Sequence, residues 1–416
     1  MNLLEDLQFR GLIYQVTDQE GLAQRLQSGP LTLYNGFDPT ADSLHVGNLL
    51  PILLLRRFQL SGHTPIALVG GGTGLIGDPG GKAEERALNP RETVEEWSAK
   101  IKNQLEPFLD FKAAGNPAQM VNNYDWLGPI KVLDFLRDVG KHFPVPNMLA
   151  KDSVASRLES GISYTEFSYM VLQAYDFLKL NQTHHCELQT GGSDQWGNIT
   201  AGSDLIRRTL SKKAYGLTFP LVTRTDGTKF GKTESGTVWL DPERTTPYQF
   251  YQFWINADDA SVISYLKYFT FLSRDEILEL EEETRQRPEK REAQKKLGQE
   301  LTTLVHGREA TRKAEKISRA LFYGELQDLE EEEIEQGFND VPSYRMEEPE
   351  LSLLDLLVQA RISSSKRQAR QDIANGAIYI NGERCTDMER RMRTADGLHC
   401  KYLVVRRGKS KYFLIR

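Results

Sequence analysis

The chain has 416 residues, 39% hydrophobic and 26% charged, which is more than one ordinary core needs and predicts two or three soluble domains. Its longest apolar run, Leu49 to Leu55, is too short to span a bilayer, and the first 16 residues carry Glu5, Asp6 and Arg10 where a signal peptide needs an apolar core, so a cytoplasmic protein without membrane attachment is expected. Three cysteines, Cys186, Cys385 and Cys400, show no paired spacing, which argues against a disulfide framework and against a structural zinc site. The net charge of −6 conceals an asymmetry, because residues 361–416 hold 14 Lys/Arg against 5 Asp/Glu, a balance of +9 that leaves −15 for the rest. A small basic module on an acidic body suits a polyanionic partner, although a merely soluble basic domain fits the charge as well.

Short β-rich runs alternate with helical patterns over the first two thirds, which predicts an α/β domain with a Rossmann-like parallel sheet. Strands are expected over 31–37, 65–70, 119–123 and 186–190, with helices over 47–60, 91–109, 130–139, 164–180 and 193–210. From 246 to 323 the strands give way to long charged amphipathic patterns, as at 273–286 and 291–304, which predict a helical domain. Glu330 to Glu333, followed by Gly337, Pro342 and Pro349, predict a linker. Two short helices (351–359, 364–374) and strands over 377–380, 403–406 and 412–415, with the tight-turn pair Asn381-Gly382, predict a small α+β module. The expected domains are therefore 1–222, an α/β domain; 223–325, a loop and a helical domain; 326–350, a linker; and 351–416, a small basic α+β module.

Two short motifs carry the chemistry. His45-Val46-Gly47-Asn48 follows a predicted strand and the turn Asp38-Pro39-Thr40 and opens an apolar helix, where an imidazole and backbone N–H groups can meet phosphate oxygens. Lys229-Phe230-Gly231-Lys232-Thr233 lies in a Thr-, Gly- and Asp-rich run, where two lysines three apart can close over a polyphosphate. Either string alone is more often an ordinary helix start or a solvated loop. Tyr169, Gln173 and Asp176 stand at i, i+4 and i+7 of a predicted helix and share one face, which either meets solvent or lines a site. Gly72-Thr73-Gly74-Leu75-Ile76-Gly77 fits the dinucleotide fingerprint G-x-G-x-x-G, but Asp78-Pro79-Gly80-Gly81 breaks the helix that the fingerprint requires, so a glycine-rich substrate loop is the better reading.

Together and in this order the two motifs resemble the signatures of the class I aminoacyl-tRNA synthetases. Tyr34-x-Gly36-x-Asp38-Pro39-Thr40, Gly77-Asp78-Pro79, Tyr169 to Asp176 and Gly191 to Asn198 narrow the resemblance to the bacterial-type tyrosyl-tRNA synthetases. Asn48 stands where the general signature has a second histidine, and Phe230-Gly231 and Thr233 stand where it has Met-Ser and Ser. The resemblance implies that Thr40, His45, Lys82, Arg86, Lys229, Lys232 and Thr233 contact pyrophosphate. It further implies that Asp194 and Asn48 hold the ribose, with Gly47 and Gly192 in the ATP site, while Gln195 and Asp38 orient the reacting groups. Asp176 would accept a hydrogen bond from the substrate phenol beside Tyr34, and Tyr169, Gln173 and Asp78 would hold the ammonium. A buried carboxylate left unpaired by phenylalanine would explain rejection of that amino acid, and no insertion is large enough for an editing domain.

The same resemblance implies MgATP as a substrate, no zinc and no tightly bound organic cofactor, tRNA(Tyr) as partner, and a homodimer. The tail from Ser352 on resembles the RNA-binding module named after the fourth small-subunit ribosomal protein, with Lys366, Arg367 and Arg370 on a helix and Arg406, Arg407, Lys409 and Lys411 beyond it facing RNA. Two alternatives stay open: a tryptophanyl-tRNA synthetase, which normally lacks such a module, and a non-catalytic RNA-binding protein on a synthetase scaffold.

Overall fold

In the computed structural model of the chain the described residues are 2–79, 88–155, 158, 161–223, 230–233, 236–339, 341–408 and 411–416, with backbone alone at 152, 153, 232 and 233. They form two compact units, residues 1–244 with 257–293, and residues 245–256 with 294–416.

The first unit is built on a six-stranded sheet of β1 (Gln15–Val16), β2 (Thr32–Phe37), β3 (Thr64–Val69), β4 (Gln119–Asn122), β5 (Cys186–Gly192) and β6 (Tyr215–Phe219). The strand order is β1-β6-β5-β2-β3-β4, with β1 antiparallel to β6 and every other pair parallel. The inner strands are buried almost throughout, as a parallel sheet covered by helices on both faces requires. Because β2 pairs with β3 on one side and β5 on the other, the winding reverses there and leaves a crevice at the carboxyl ends of β2 and β5.

The four predicted strands lie where expected, whereas β6 carries no alternation to betray it. All five of its residues are buried, and Gly216 lets the helix Trp196–Leu210 press onto it: a Cβ there would stand 2.3 Å from Ile199 Cγ2. The helix Leu49–Leu60 is likewise buried along nearly its whole surface. Its Arg57 is held there by Asp6 at 3.5 Å and by a short hydrogen bond donated to the Thr270 carbonyl, and burial beside Arg10 brings its guanidinium pKa down to about 9. Arg10 donates to the same Thr270 carbonyl at 3.1 Å, so two buried cations fix the end of the helix Val262–Phe269.

The glycine-rich run forms a single 3-10 turn, Thr73–Leu75, after which Gly77 takes a left-handed φ of 84°. No long helix follows it among the described residues before Arg91–Leu105, which agrees with the rejection of a dinucleotide fingerprint.

In the second unit the helix Glu292–Tyr323 bends at Gly307, whose φ of 85° is not helical. A five-stranded sheet follows, in the order Glu383–Arg384, Ile378–Ile380, Leu403–Arg407, Lys411–Ile415 and Ser343–Tyr344. One face of it packs on the helices Leu353–Gln359 and Lys366–Ala374 through Leu356, Ile373 and Val405. The other face packs on Ile317, Ile334 and Phe338 through Tyr402, Val404 and Leu414.

The segment 326–350, expected to be a linker, is folded here. Glu331–Gly337 is a helix, and Ser343–Tyr344 runs parallel to the last strand of the sheet. Glu330, Glu331 and Glu332 are exposed, Glu333 is buried against Lys316 at 2.7 Å, and the acidic run masks an apolar set, Leu326, Leu329, Ile334 and Phe338, that is fully buried. The helical section expected over 223–325 also divides, since 257–293 belong to the first unit and 294–323 to the second.

Candidate active site

The crevice between β2 and β5 holds a cavity lined by residues from several separate segments. Tyr34 and Asp38 come from β2 and its turn, Thr73 and Asp78 from the glycine-rich run, and Tyr169, Gln173 and Asp176 from the helix Tyr164–His184. Gly191 and Gly192 end β5, and Asp194 and Gln195 open the next helix. The polar stripe at i, i+4 and i+7 therefore lines a site rather than meeting solvent. Its helix is long and well anchored because Ser163 caps its first turn and His185, in the left-handed region, ends it.

At the closed end Asp176 is fully buried and accepts hydrogen bonds from Asn123 Nδ2 at 2.9 Å and Trp126 Nε1 at 2.7 Å. Burial pushes its pKa up to about 7, the two donors oppose the rise, and nearby Asp38 adds to it. The Tyr34 ring lies 5.4 Å from Phe177 with its hydroxyl buried and without a hydrogen-bond partner among the described residues. Burial, then the Asp176 charge, hold that phenol well above its ordinary pKa, so at neutral pH it is a donor.

A hydrogen-bonded chain runs from there toward the mouth. Asn123 Nδ2 also donates to Thr73 Oγ1 at 3.0 Å, Thr73 donates to Asp38 Oδ1 at 2.6 Å, and the Tyr169 hydroxyl donates to Asp38 Oδ2 at 2.6 Å. Gln195 Nε2 donates to Asp78 at 2.7 Å and to Asp194 at 3.1 Å, while Asn198 Nδ2 donates to Gln173 at 3.1 Å and to Gln195 at 3.0 Å. Thr73, Asn123, Trp126 and Asn198 were not among the expected site residues. Thr73 lies in the glycine-rich run and Asn198 ends the Gly191 to Asn198 motif, whereas no local pattern marks Asn123 and Trp126, whose only signal is the residue each one touches.

His45 caps the 3-10 turn Val46–Asn48 that runs into the buried helix. Its Nδ1 accepts the Gly47 N–H at 3.0 Å, so in the neutral ring the proton sits on Nε2. Asn48 Oδ1 accepts the His45 N–H at 3.0 Å, so the residue replacing the second signature histidine serves the cap. Gly47 lines the cavity; Thr40, which is exposed, His45 and Asn48 do not.

The second motif docks on the first. Gly231, with a φ of 80°, lies so close to Val46 that a Cβ would stand 2.7 Å from Val46 Cγ2. The Val238 N–H donates to the Gly231 carbonyl at 2.9 Å and the Val46 N–H donates to the Val238 carbonyl at 3.0 Å. Phe230 stacks on Phe269 at 5.4 Å and 9° and meets Tyr265 at 5.2 Å. Lys82, Arg86 and Lys229 lie outside the described residues, and Lys232 and Thr233 are described by backbone alone, as a strand paired with Gly236–Thr237.

In the second unit the helix Lys366–Ala374 exposes Lys366, Arg367 and Arg370. Lys366 pairs with Asp355 at 2.6 Å. Arg407 is turned inward, donating to the Ile362 carbonyl at 2.6 Å and pairing with Asp372 at 2.9 Å, so its guanidinium helps to hold the module together. Arg406 lies over the Tyr379 ring at 3.9 Å, Lys411 is exposed, and Lys409 lies outside the described residues.

A parallel sheet with a buried acceptor at the closed end of its crevice, and two interlocked phosphate-type motifs beside it, matches the class I tRNA synthetase model for the tryptophan and tyrosine enzymes over residues 26–323. The chain thus has a class I aminoacyl-tRNA synthetase fold, and residues 333–415 match the C-terminal domain model of tyrosine–tRNA ligases. It is 64% identical to the tyrosine–tRNA ligase of Bacillus caldotenax, over all of both chains, and 63% identical to tyrosine–tRNA ligase 1 of Bacillus subtilis, over all of this chain and 99% of that one. The crystal structure of a truncated mitochondrial tyrosyl-tRNA synthetase from Aspergillus nidulans superposes with a TM-score of 0.69 at 32% identity, covering 77% of this chain and 94% of that one. The chain belongs to the tyrosine–tRNA ligases, enzymes that use ATP to join tyrosine to tRNA. Neither the tryptophan enzyme nor a scaffold without catalysis is the family to which these matches point.

Proposed function

We propose that the cavity binds tyrosine with its phenol between Tyr34 and Asp176 and its ammonium against Asp78, Tyr169 and Gln173. The observation carrying this reading is the fully buried Asp176, already holding two donors and close enough to Tyr34 to perturb its phenol. An apolar ring would leave that carboxylate short of a donor in a medium where the shortfall is costly. The acidic lining of Asp38 and Asp78 suits a cationic group at the other end.

The substrate carboxylate oxygen then attacks the α-phosphorus of MgATP, a new P–O bond forms, the bond to the β-phosphate oxygen breaks, and pyrophosphate leaves with its magnesium. His45 Nε2–H, Thr40, Lys82, Arg86, Lys229, Lys232 and Thr233 stabilise charge growing on the phosphates, Asp194 and Asn48 hold the ribose beside Gly47 and Gly192, and Gln195 and Asp38 orient the reacting ends. A hydroxyl of the 3′-terminal adenosine of tRNA next attacks the activated carbonyl, forming the ester and releasing AMP. Neither step needs zinc or an organic cofactor. Lys366, Arg367, Arg370, Arg406, Lys409 and Lys411 of the C-terminal module meet the RNA backbone, in a cytoplasmic setting. Tyrosine-dependent exchange of pyrophosphate into ATP tests the reading: tyrosine alone should support it, and exchange driven by tryptophan would overturn the pocket assignment.

The raised pKa of Asp176 adds a pH signature. Its folded value lies above that of the unfolded chain, so its contribution to stability is present below pH 4 and lost as pH rises through about 7. A phenol hydrogen bond favours the ionised form, so tyrosine binding releases a proton below pH 7. The Kd for tyrosine, followed by calorimetry from pH 8 to 5.5, should rise by up to about tenfold per unit below pH 7. A flat profile would exclude Asp176 as the acceptor.

We also propose a symmetric homodimer. Val132, Leu133 and Leu136 on the helix Val132–Asp138, with Val145 and Tyr164 nearby in sequence, are 48–79% exposed, and exposed apolar residues grouped on one short helix suit a self-complementary interface. The double variant Leu133→Asp, Leu136→Asp should sediment as a monomer at concentrations where the parent is a dimer. Unchanged sedimentation would place the dimer surface elsewhere.

A further inference from the structure

The C-terminal end of the helix Glu292–Tyr323 presents two consecutive aromatic residues to solvent, Phe322 at 79% and Tyr323 at 69% exposure, with ring centroids 5.0 Å apart and planes at 84°. Neither belongs to the core of the second unit. They are nevertheless held firmly in place. Gly324, with a φ of 83°, ends the helix, and its carbonyl lies so near Gly382 that a Cβ there would stand 1.9 Å from it. The Tyr412 hydroxyl donates to the Leu321 carbonyl at 2.6 Å, tying the residue before the aromatic pair to the sheet.

Tyr412 stands directly opposite Arg406, which stands opposite Tyr379, so the three share one face of the sheet, and the Arg406 guanidinium covers the Tyr379 ring at 3.9 Å. The segment bearing the two exposed rings is thus tied to the sheet that carries this stacked arginine and tyrosine, on a module whose residues 361–416 carry a balance of +9. Exposed aromatic faces beside arginine planes bind unpaired nucleobases, because every base has a π-face to stack and the cations draw in its phosphate.

Resting on the reading of the C-terminal module as a tRNA-binding element, we infer that Phe322 and Tyr323, continued by Arg406 on Tyr379, form a stacking platform for an unpaired base of the tRNA. A partner protein would be the other natural occupant of exposed rings. The excess of cations on the adjoining module and the RNA substrate of the family favour nucleic acid.

The test uses the full chain and a tRNA(Tyr) transcript. Phe322→Ala with Tyr323→Ala should weaken tRNA binding about 5- to 150-fold, the range for loss of base stacking, while tyrosine-dependent pyrophosphate exchange, which needs no tRNA, controls for folding. The pair Phe322→Leu, Tyr323→Leu should lose a similar factor, and Tyr323→Trp should retain the affinity of the parent. The dependence of log Kd on log salt should keep its slope in these variants but become shallower by about 0.7–0.9 in Arg406→Gln. Unchanged tRNA affinity in the alanine pair, full affinity in the leucine pair, parallel loss of exchange, or an altered oligomeric state would each overturn the platform. Arg367→Gln with Arg370→Gln separates the two levels of the argument. If it weakens tRNA binding while the alanine pair does not, only the platform fails; if neither has an effect, the reading of the module fails with it.

Discussion

Asp176→Asn is expected to lower kcat/KM for tyrosine about 10³-fold and to remove most of the preference for tyrosine over phenylalanine. The ionised wild-type carboxylate presents only acceptor sites to Asn123 Nδ2 and Trp126 Nε1, so a third donor, the substrate phenol, can still be accommodated. An asparagine brings an NH₂ group into a pocket already lined by donors, and whichever way it turns, one donor is left facing another. A hydrogen bond to a charged group contributes about 1.5–3 kcal/mol and a stranded buried donor costs about 1–3 kcal/mol, which together approach the ~4 kcal/mol that three orders of magnitude require. The fold should survive, because removing a carboxyl whose pKa burial has raised to about 7 relieves a desolvation cost at neutral pH. Exchange kinetics with tyrosine and phenylalanine in parallel read the effect directly. Retention of the parent preference would remove Asp176 from the recognition of the phenol.

His45→Asn should depress the rate of adenylate formation about 100-fold, or ~3 kcal/mol, while leaving the Kd for tyrosine within about twofold. Asparagine is chosen because the His45 side chain has two duties. Its Nδ1 caps the turn that starts the buried helix, a task that an asparagine oxygen performs equally well, whereas the Nε2–H has no counterpart in the shorter side chain. Alanine would remove both, adding about 1 kcal/mol of cap loss to the catalytic effect. Comparison of the two variants by pre-steady-state adenylate formation and thermal melting separates the duties. A rate equal to the parent in His45→Asn would mean that the ring acts only as a cap.

These two residues also show what could be read in advance. The chemistry proposed for the outer site rests on local strings, His45 to Asn48 and Lys229 to Thr233, because phosphate binding calls for glycines, an imidazole and lysines at short spacings. The parallel sheet was legible for a similar reason, since strands buried on both faces appear as short apolar runs between turn residues. The helix spacing of Tyr169, Gln173 and Asp176 put three polar groups on one face, but periodicity is blind to whether a polar face meets water or a cavity.

That choice, and the whole closed end of the pocket, was decided by tertiary structure. Asn123 and Trp126 reach Asp176 across about fifty residues of chain, and Thr73 reaches Asp38 across thirty-five, so no window of sequence contains the pairs that hold the buried Asp176 or complete the network. Arg407 is the reverse case: counted by charge it belonged to the RNA-facing set, and only packing showed its guanidinium bound to Asp372 and Ile362. The acidic stretch at 330–333 likewise hid Ile334 and Phe338, whose burial depends on a sheet formed some seventy residues later. Sequence by itself determined which local groups are present and the class of chemistry they can do. Tertiary structure decided which of them lose water and which partners they meet, because desolvation and hydrogen bonding depend on distance in space and not along the chain.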